Sequence, residues 1–191
     1  MERFKVVKLM SLISNIKRYI NQIFRGGSFT NEQLRNRGLD IGNNTDIYTN
    51  KIDFGHGYLI SIGDNVTIAS DVRLLAHDAS TKKMLGYSKI GRIQIGNNVF
   101  IGAQAIILPN VIIGDNVVIG AGSVVAKDIP CNSVAIGNPC RIIGTYEDYV
   151  ERMNALFESV PRQENYYKDK KLEEKKDMTE MLKESCWGFD K

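Results

Sequence analysis

Aliphatic residues recur at every sixth position through the centre of this 191-residue chain. Six consecutive blocks begin with Ile or Val and carry a small or aliphatic residue in fifth place; from Ile95 they are IGNNVF, IGAQAI, ILPNVI, IGDNVV, IGAGSV and VAKDIP. A period of six matches neither the repeat of an amphipathic helix nor the alternation of a simple strand. It is typical of a parallel β-helix, in which each hexad supplies one short strand and one corner.

Shorter runs of the same hexads precede this block. IGDNVT, IASDVR and LLAHDA start at Ile62, and a weaker pair, IGNNTD and IYTNKI, starts at Ile41. Three hexads make one coil of a triangular prism, so first and fifth positions point inward and stack as coils rise by roughly 4.8 Å. Glycine and asparagine crowd the second to fourth positions and suit corners where the backbone takes a positive φ. The sequence therefore predicts an all-β core of stacked parallel coils.

Two breaks interrupt this register. Leu74 begins the hexad LLAHDA, but Ile95, where the next clear block begins, lies 21 residues later, which is not a multiple of six. We therefore expect residues 79–93 to leave the prism as a protruding loop. A second break spans residues 53–61, DFGHGYLIS, and contains His56, one of the two histidines of the chain.

The segments that flank the repeats differ from them in charge and in period. Residues 1–37 hold eight basic and two acidic side chains, a net +6, whereas residues 38–144 hold eight of each, a net 0. Residues 145–191 hold nine basic and twelve acidic side chains, a net −3. Apolar residues at helical spacing predict a helix over 3–24 and further helices in the tail, separated by Pro161. The predicted organisation is a basic helical arm, a β-helix domain and a helical tail.

Two interpretations of the basic arm stay open. It packs on the prism or on a neighbouring subunit, or it makes peripheral contact with an anionic membrane surface. No stretch reaches the roughly 20 apolar residues that cross a bilayer. The apolar stretch near the start is split by Lys8 and is followed by no small-residue cleavage site. We therefore expect a cytoplasmic protein, membrane-peripheral at most.

The composition argues against several classes of function. The net charge is only +3, and no basic stripe interleaved with aromatic residues suggests nucleic acid. Cys131, Cys140 and Cys186 form no CxxC pair and fit free thiols in a reducing compartment. Because the chain has only two histidines and the cysteine spacing matches no zinc pattern, no metal is predicted.

The run IGNNVFIGAQAIILPNVIIGDNVVIGAGSVVAKDIP, followed by AIGNPCRII, closely resembles the hexapeptide-repeat acyltransferases. Within that family it is most similar to the O-acetyltransferases of sugars and polysaccharides related to galactoside and maltose acetyltransferases, from about Ile41 to Ile143. The resemblance implies a left-handed coil, although most parallel crossovers are right-handed. It also implies acetyl-CoA as the acetyl donor, a carbohydrate acceptor, and a homotrimer whose active sites lie between adjacent prisms.

The resemblance further implies roles for individual residues. His77 lies where such enzymes place their general base, which takes the proton of the acceptor hydroxyl as that oxygen attacks the thioester directly. Gly102 and Ala103 match the amide donors to the thioester oxygen, where a small side chain lets the pantetheine arm approach. The other implied coenzyme A contacts are backbone around Gly120, Ala121 and Ala126, for the pantetheine, and Lys127 and Arg141, for the phosphates.

The residues themselves single out His77 and Asp78. In LLAHDA the histidine takes the outward fourth position, whereas Asp78 takes the inward fifth position that valine or alanine holds in most other hexads. An unpaired carboxylate is costly to bury. Either the coil bulges and turns the acid outward, or the acid is paired, with His77 as the obvious partner in catalysis. Asp64 and Asp71, from earlier hexads, remain alternatives for the acid that orients His77.

Several polar and aromatic residues are candidate contacts of the acceptor. Each also has an ordinary explanation, as an exposed histidine, a corner residue, a loop residue or an aromatic on a prism face. The candidates are His56, Asn65, Tyr87 and Phe100, with Lys82, Lys83, Lys89 and Arg92 adding positive charge to the protruding loop.

Acetyl-CoA-dependent O-acetylation of a carbohydrate hydroxyl is the leading hypothesis for the function. N-acetylation of a nucleotide-linked amino sugar would use the same base and the same cofactor. A non-catalytic trimeric scaffold is the alternative from another class, and it predicts no specific affinity for coenzyme A. Serine acetyltransferases and sugar-nucleotide pyrophosphorylases carry an additional domain for which this chain has no room.

Overall fold

The computed structural model describes residues 29–165 and 169–190. The predicted helix over 3–24 lies outside these residues. The described chain divides into two compact units, the first ending at Tyr146 and the second beginning at Glu147.

The strands of the first unit form three walls that the chain visits in turn, and three of the coils supply one strand to each wall. All pairings within the successive coils are parallel, so the predicted hexapeptide coil is confirmed. The first wall contains β1 (Asp40–Ile41), β3 (Ile60–Ile62), β8 (Ile93–Ile95) and β11 (Val111–Ile113). The second contains β2 (Asp46–Ile47), β4 (Thr67–Ile68), β9 (Val99–Ile101), β12 (Val117–Ile119) and β14 (Ser133–Ile136). The third contains β5 (Arg73–Leu74), β10 (Ile106–Ile107) and β13 (Val124–Val125).

The first residues of the hexads stack in columns inside these walls. In the second wall Ile68 is in register with Ile101, and Ile101 with Ile119. All three side chains are fully buried. The columns form one hydrophobic core along the axis of the coil, as the sequence predicts.

Asparagines line the corner that separates the first wall from the second. Asn65, Asn98 and Asn116 each take a φ of 55°, a left-handed conformation that asparagine tolerates better than most residues. Their amides form a ladder, in which Asn65 donates to Asn98 at 3.2 Å and Asn98 donates to Asn116 at 3.0 Å. Asn44 and Asn132 extend it at the two ends. The repeated asparagine is therefore explained by the corner.

A short helix covers the start of the coil. Helix α1 (Asn31–Arg35) begins at Thr30, whose hydroxyl accepts from the Gln33 N–H at 3.2 Å. Leu34 is fully buried in the core. The Arg35 guanidinium donates to the carbonyl oxygens of Ile41 and Gly42. These contacts cover the core and engage backbone carbonyl groups at the first of the described coils.

The longer of the two breaks, residues 77–90, leaves the coil as a loop that we call the excursion. A small antiparallel pair closes it at its base. Strands β6 (His77–Asp78) and β7 (Lys89–Ile90) pair His77 with Ile90 and Asp78 with Lys89. Between them lie a 3₁₀ turn, Ala79–Thr81, and helix α2 (Lys82–Leu85), which ends at Gly86 with a φ of 76°. The shorter break contains a 3₁₀ segment, Phe54–Leu59.

An antiparallel strand, which the sequence did not predict, ends the second wall. β15 (Arg141–Thr145) pairs with β14 after a turn that contains the cis peptide bond Asn138–Pro139. Pairing of this kind covers the last edge of the wall, which would otherwise present unpaired backbone groups.

The second unit contains the C-terminal helices that the sequence predicts, α3 (Tyr146–Ser159) and α4 (Leu172–Ser185). A short parallel pair, β16 (Arg162–Gln163) and β17 (Phe189–Asp190), accompanies them. Within the residues described, neither unit contains a helix long and apolar enough to cross a membrane.

Candidate active site

The two breaks in the repeat emerge at the same side of the coil. Ile52 bridges Leu74 in the third wall, and the next residue, Asp53, donates its N–H to the Leu74 carbonyl oxygen at 3.0 Å. The shorter break therefore starts directly beside the strand that leads to His77. This stacking brings together residues that are 24 positions apart in the sequence.

Asp53, His56 and His77 form one contact group, which we call the Asp53 cluster. His77 Nδ1 is in close hydrogen-bond contact with Asp53 Oδ2, and His56 Nδ1 lies 3.3 Å from Asp53 Oδ1. The two imidazole ring centroids are 4.9 Å apart. The Asp53 side chain is only 7% exposed, whereas those of His56 and His77 are 27% and 40% exposed.

Local backbone structure fixes the cluster from two sides. The Asp53 carbonyl accepts from the His56 N–H at 3.1 Å at the start of the 3₁₀ segment, so the acid and His56 lie on the same turn. Gly57 then packs tightly, because a Cβ at this position would lie 2.5 Å from the Arg37 carbonyl oxygen. His77 begins β6, whose pairing with β7 holds its backbone.

The charge of Asp53 is stabilised by its two partners. Burial raises the pKa of the Asp53 carboxyl, but hydrogen bonds from His77 and His56 outweigh burial and hold that pKa below its ordinary value of 3.8. An ionised carboxylate only accepts hydrogen bonds, so the Nδ1 of each neutral histidine carries the proton that it donates. The Nε2 of His77 is then the nitrogen with a lone pair, on a ring that is partly exposed.

Asp78 is not the partner of His77, and that prediction is wrong. Its Oδ2 lies 2.7 Å from Lys89 Nζ, and its Oδ1 accepts from the Ser80 N–H at 2.8 Å. The hydrogen bond from Lys89 contributes most to lowering the pKa of the Asp78 carboxyl to about 2. Ala76 is the last fully buried residue before the excursion, so Asp78 has already left the inward column.

The two other acids considered from the sequence are also engaged elsewhere. Asp64 Oδ1 accepts from the Asn43 N–H at 2.5 Å in a corner of the coil. Asp71 forms an exposed ion pair with Lys51, at 2.6 Å. The carboxylate that contacts the His77 ring is that of Asp53, which sequence reasoning missed.

A missing residue in the repeat explains why Asp53 was missed. Ile47 begins a hexad, but the residue that begins the next one is Ile52, only five positions later, which pairs with Leu74. A count in steps of six places Asp53 at the start of the break, and it assigns no residue of the adjacent coil as a neighbour of Asp53. The signal that could have found it is that both breaks follow the third side of a coil, which places their first residues next to each other.

The candidate acceptor contacts are spread over different parts of the first unit. Asn65 belongs to the corner ladder, which uses both ends of its amide. Phe100 faces outward from the second wall, in register with Thr67 and Val118. Tyr87 lies in the excursion with a largely exposed ring. Among these candidates only His56 contacts the Asp53 cluster.

Three of the residues implied for coenzyme A line one cavity. Ala126, Lys127 and Arg141 surround a space of about 410 Å³ at the end of the third wall, together with Val124, Asp128, Ile129, Pro139, Cys140 and Ile142. The Asp128 carboxylate accepts from the Ile112 N–H at 2.8 Å. Lys127 and Arg141 are exposed, so the cavity offers two accessible cations.

Stacking of the coils is sufficient to explain why two of the implied positions are glycine. A Cβ on Gly102 would lie 2.5 Å from the Ala121 backbone nitrogen. One on Gly120 would lie 2.5 Å from Ile136 Cγ2. Ala103 is half-buried and Ala121 is exposed, so both remain reachable from solvent.

Comparison with known proteins connects the repeat to an enzyme family. Residues 92–127 match the family described as bacterial transferase hexapeptide (six repeats). Protein CapG of Staphylococcus aureus is 43% identical over 128 residues, which are 64% of this chain and 74% of CapG. The galactoside O-acetyltransferase of Escherichia coli is 43% identical over 96 residues, 48% of this chain and 46% of that enzyme.

The solved structures include a relative with its ligand. A galactoside acetyltransferase in complex with coenzyme A matches this fold with a TM-score of 0.51 and 30% identity, over 71% of this chain and 82% of that one. Similarity thus extends over most of CapG and most of a solved acetyltransferase. On this evidence the chain belongs to the hexapeptide-repeat acetyltransferase family.

Proposed function

We propose that this protein is an acetyl-CoA-dependent O-acetyltransferase that acts on a carbohydrate hydroxyl. The observation that carries the proposal is the pairing of His77 Nδ1 with the largely buried Asp53 carboxylate, on a ring that is 40% exposed. A histidine held in this tautomer presents Nε2 as a proton acceptor. The similarity to galactoside O-acetyltransferase supports the choice of donor and acceptor class.

His77 acts as the general base in this proposal. Its Nε2 takes the proton of the acceptor hydroxyl as the oxygen attacks the thioester carbonyl carbon. The tetrahedral intermediate collapses with breakage of the carbon–sulfur bond, and the imidazolium returns the proton to the leaving thiolate. Asp53 is a positioning residue that fixes the tautomer and stabilises the imidazolium, as carboxylates do in related base arrangements.

The cavity lined by Ala126, Lys127 and Arg141 is the proposed site for part of coenzyme A. Two accessible cations suit its phosphates, since charge-assisted hydrogen bonds to phosphate are strong. Asp128 also lines this cavity, but its carboxylate is engaged with the Ile112 N–H. The left-handed coil and the homotrimer remain expectations from the family.

The acceptor class is tested by the chemistry of the product. The protein is incubated with acetyl-CoA and a panel of neutral sugars, amino sugars and short glycans, and products are analysed by mass spectrometry before and after mild hydroxylamine. We expect acetylated sugars whose mass gain disappears with hydroxylamine, because esters are cleaved and amides are not. A hydroxylamine-resistant product on amino sugars alone would replace the proposal with N-acetylation.

A binding measurement separates the enzyme from a scaffold. Calorimetric titration with coenzyme A should give saturable binding that weakens when Lys127 and Arg141 are both changed to Gln. Arg73→Gln, in the same wall, is the matched control for loss of a surface cation. No saturable binding by the unmodified protein would favour a non-catalytic trimeric scaffold.

A further inference from the structure

We propose that Asp53, His56 and His77 also form a binding site for a divalent transition-metal ion, represented by zinc, and that the bound ion switches off the acetyl transfer. The inhibitory part of this proposal rests on the proposed function, but the binding part does not. The structure brings two imidazoles and one carboxylate to a single point, with one ligand atom of each residue within 4.8 Å of the other two.

The spacing of the ligand atoms suits a tetrahedral ion. Zinc binds histidine nitrogen and carboxylate oxygen at about 2.0–2.2 Å, which places neighbouring ligand atoms about 3.3 Å apart. His56 Nδ1 and Asp53 Oδ1 already lie 3.3 Å apart. His77 Nδ1 is closer than this to Asp53 Oδ2, so the His77 side chain must move outward for an ion to lie between these two atoms.

The chemistry of the three donors selects the kind of ion. Two neutral imidazoles and one carboxylate are a borderline-soft set that suits zinc and its transition-metal neighbours. Calcium and magnesium prefer sites built from oxygen alone. The carboxylate supplies the charge of the set, and its low exposure reduces competition from water.

The accessibility of the rings makes the site reachable from solvent. His56 and His77 are partly exposed, whereas Asp53 lies beneath them. Three protein ligands leave a fourth position for water, as in zinc sites that are not purely structural. Because the ion would hold His77 by its Nδ1 and break the contact with Asp53, the imidazole would lose the orientation that acetyl transfer needs.

Zinc binding is measured first, without reference to activity. The variant Cys131→Ser, Cys140→Ser, Cys186→Ser removes every thiol of the chain, and only His56 and His77 then remain as nitrogen ligands. Competition of this variant with a chromophoric chelator should show one Zn²⁺ per chain. His56→Asn and Asp53→Asn should each weaken binding more than about tenfold, since even the loss of an outer partner of a ligand commonly costs that much.

A control variant and the unfolding midpoint test whether zinc binds specifically at the Asp53 cluster. Asp71→Asn makes the same charge change in an exposed ion pair and should leave zinc affinity unchanged. Zinc should raise the unfolding midpoint of the thiol-free protein but not of its His56→Asn variant, because only a ligand of the folded state stabilises it. Magnesium should produce neither effect.

Inhibition is measured last, as the zinc concentration that halves each variant's own rate. His56→Asn should raise that concentration more than about tenfold, in line with its loss of affinity. No saturable binding, or equal binding by Asp53→Asn, overturns the metal site. Stoichiometric zinc in a protein with no acetyl transfer overturns the proposed function alone, and zinc-resistant transfer overturns only the inhibitory step.

Discussion

The regular coils from Ile93 to Val125 and the interrupted coils before them use the same hexad for different purposes. In the regular coils polar residues at the corners serve the coil itself, as the asparagine ladder does. In the interrupted coils two breaks at one corner bring Asp53, His56 and His77 together. The comparison teaches that the repeat builds the scaffold, whereas departures from the repeat bring together the candidate catalytic residues.

The largest effect is expected in the interrupted coils, from His77→Ala. Removal of a general base costs about 10²- to 10⁴-fold in rate. We expect this loss in kcat with little change in the KM for acetyl-CoA, measured by steady-state kinetics. A rate within a few-fold of the unmodified enzyme would contradict the base role and would locate the chemistry elsewhere.

In the regular coils the largest expected effect is on stability. Ile107 is fully buried between Leu74 and Val125 in the third wall, so Ile107→Ala should lower the free energy of unfolding by about 2–5 kcal/mol. Ile112 points outward with its side chain 49% exposed, and Ile112→Ala should cost less than about 1 kcal/mol. Denaturant unfolding at one fixed protein concentration measures both, and equal losses would contradict the inward columns.

A smaller effect is expected for the residue that orients His77. Asp53→Asn should lower kcat by roughly tenfold to a hundredfold, because a misplaced catalytic group reacts slowly even when it is present. Its amide no longer requires a proton on His77 Nδ1, so the ¹⁵N resonances of the imidazole should report a changed tautomer. A chain with two histidines makes this spectrum simple to assign.

Two matched variants sharpen the assignment of the orienting acid. Asp78→Asn should lower kcat less than Asp53→Asn does, since Asp78 pairs with Lys89. Asp71→Asn should have no effect on kcat. A greater loss for Asp78→Asn than for Asp53→Asn would restore the acid first suggested by the sequence.

The smallest expected effect concerns the excursion. Asp78 has a pKa of about 2, below its ordinary 3.8, chiefly because of the hydrogen bond from Lys89. The pair therefore stabilises the closure of the excursion above about pH 3.8, and this contribution is lost as the pH falls through 2. In Lys89→Gln the Asp78 carboxyl should titrate closer to 3.8, as followed by ¹³C NMR; an unchanged titration would contradict the pairing.

The fold was predictable because its signal repeats. A hexad that recurs in register specifies the inward columns many times, so a single irregular position does not obscure the pattern. The C-terminal helices also follow from local periodicity. Strand β15 was missed because its pairing with β14 reverses the direction of the chain through a turn that has no counterpart in the repeat.

The site was only partly predictable, because it depends on contacts between coils. His77 was found from its position and from its resemblance to a family base. Its acid was assigned to Asp78, for which the sequence left open an outward bulge or pairing with His77. The chain turns outward after Ala76, and Asp78 pairs with Lys89 instead. Asp53 was hidden by the five-residue spacing from Ile47 to Ile52, which only the stacking with Leu74 reveals.

The regular spacing of stacked strands also sets the distances between sites along the axis of the coil. Leu74, Ile107 and Val125 lie in register on neighbouring strands of the third wall, and each strand is about 4.8 Å from the next. Strand β5, which leads to His77, is therefore two strand spacings, about 10 Å, from strand β13, which leads to the cavity lined by Lys127 and Arg141. An insertion of one whole coil between these two strands would move His77 and the cavity apart by one strand spacing. An insertion shorter than a coil would instead emerge at a corner as a loop. A partial insertion can thus reshape the surface near His77 without altering the distance between these two strands.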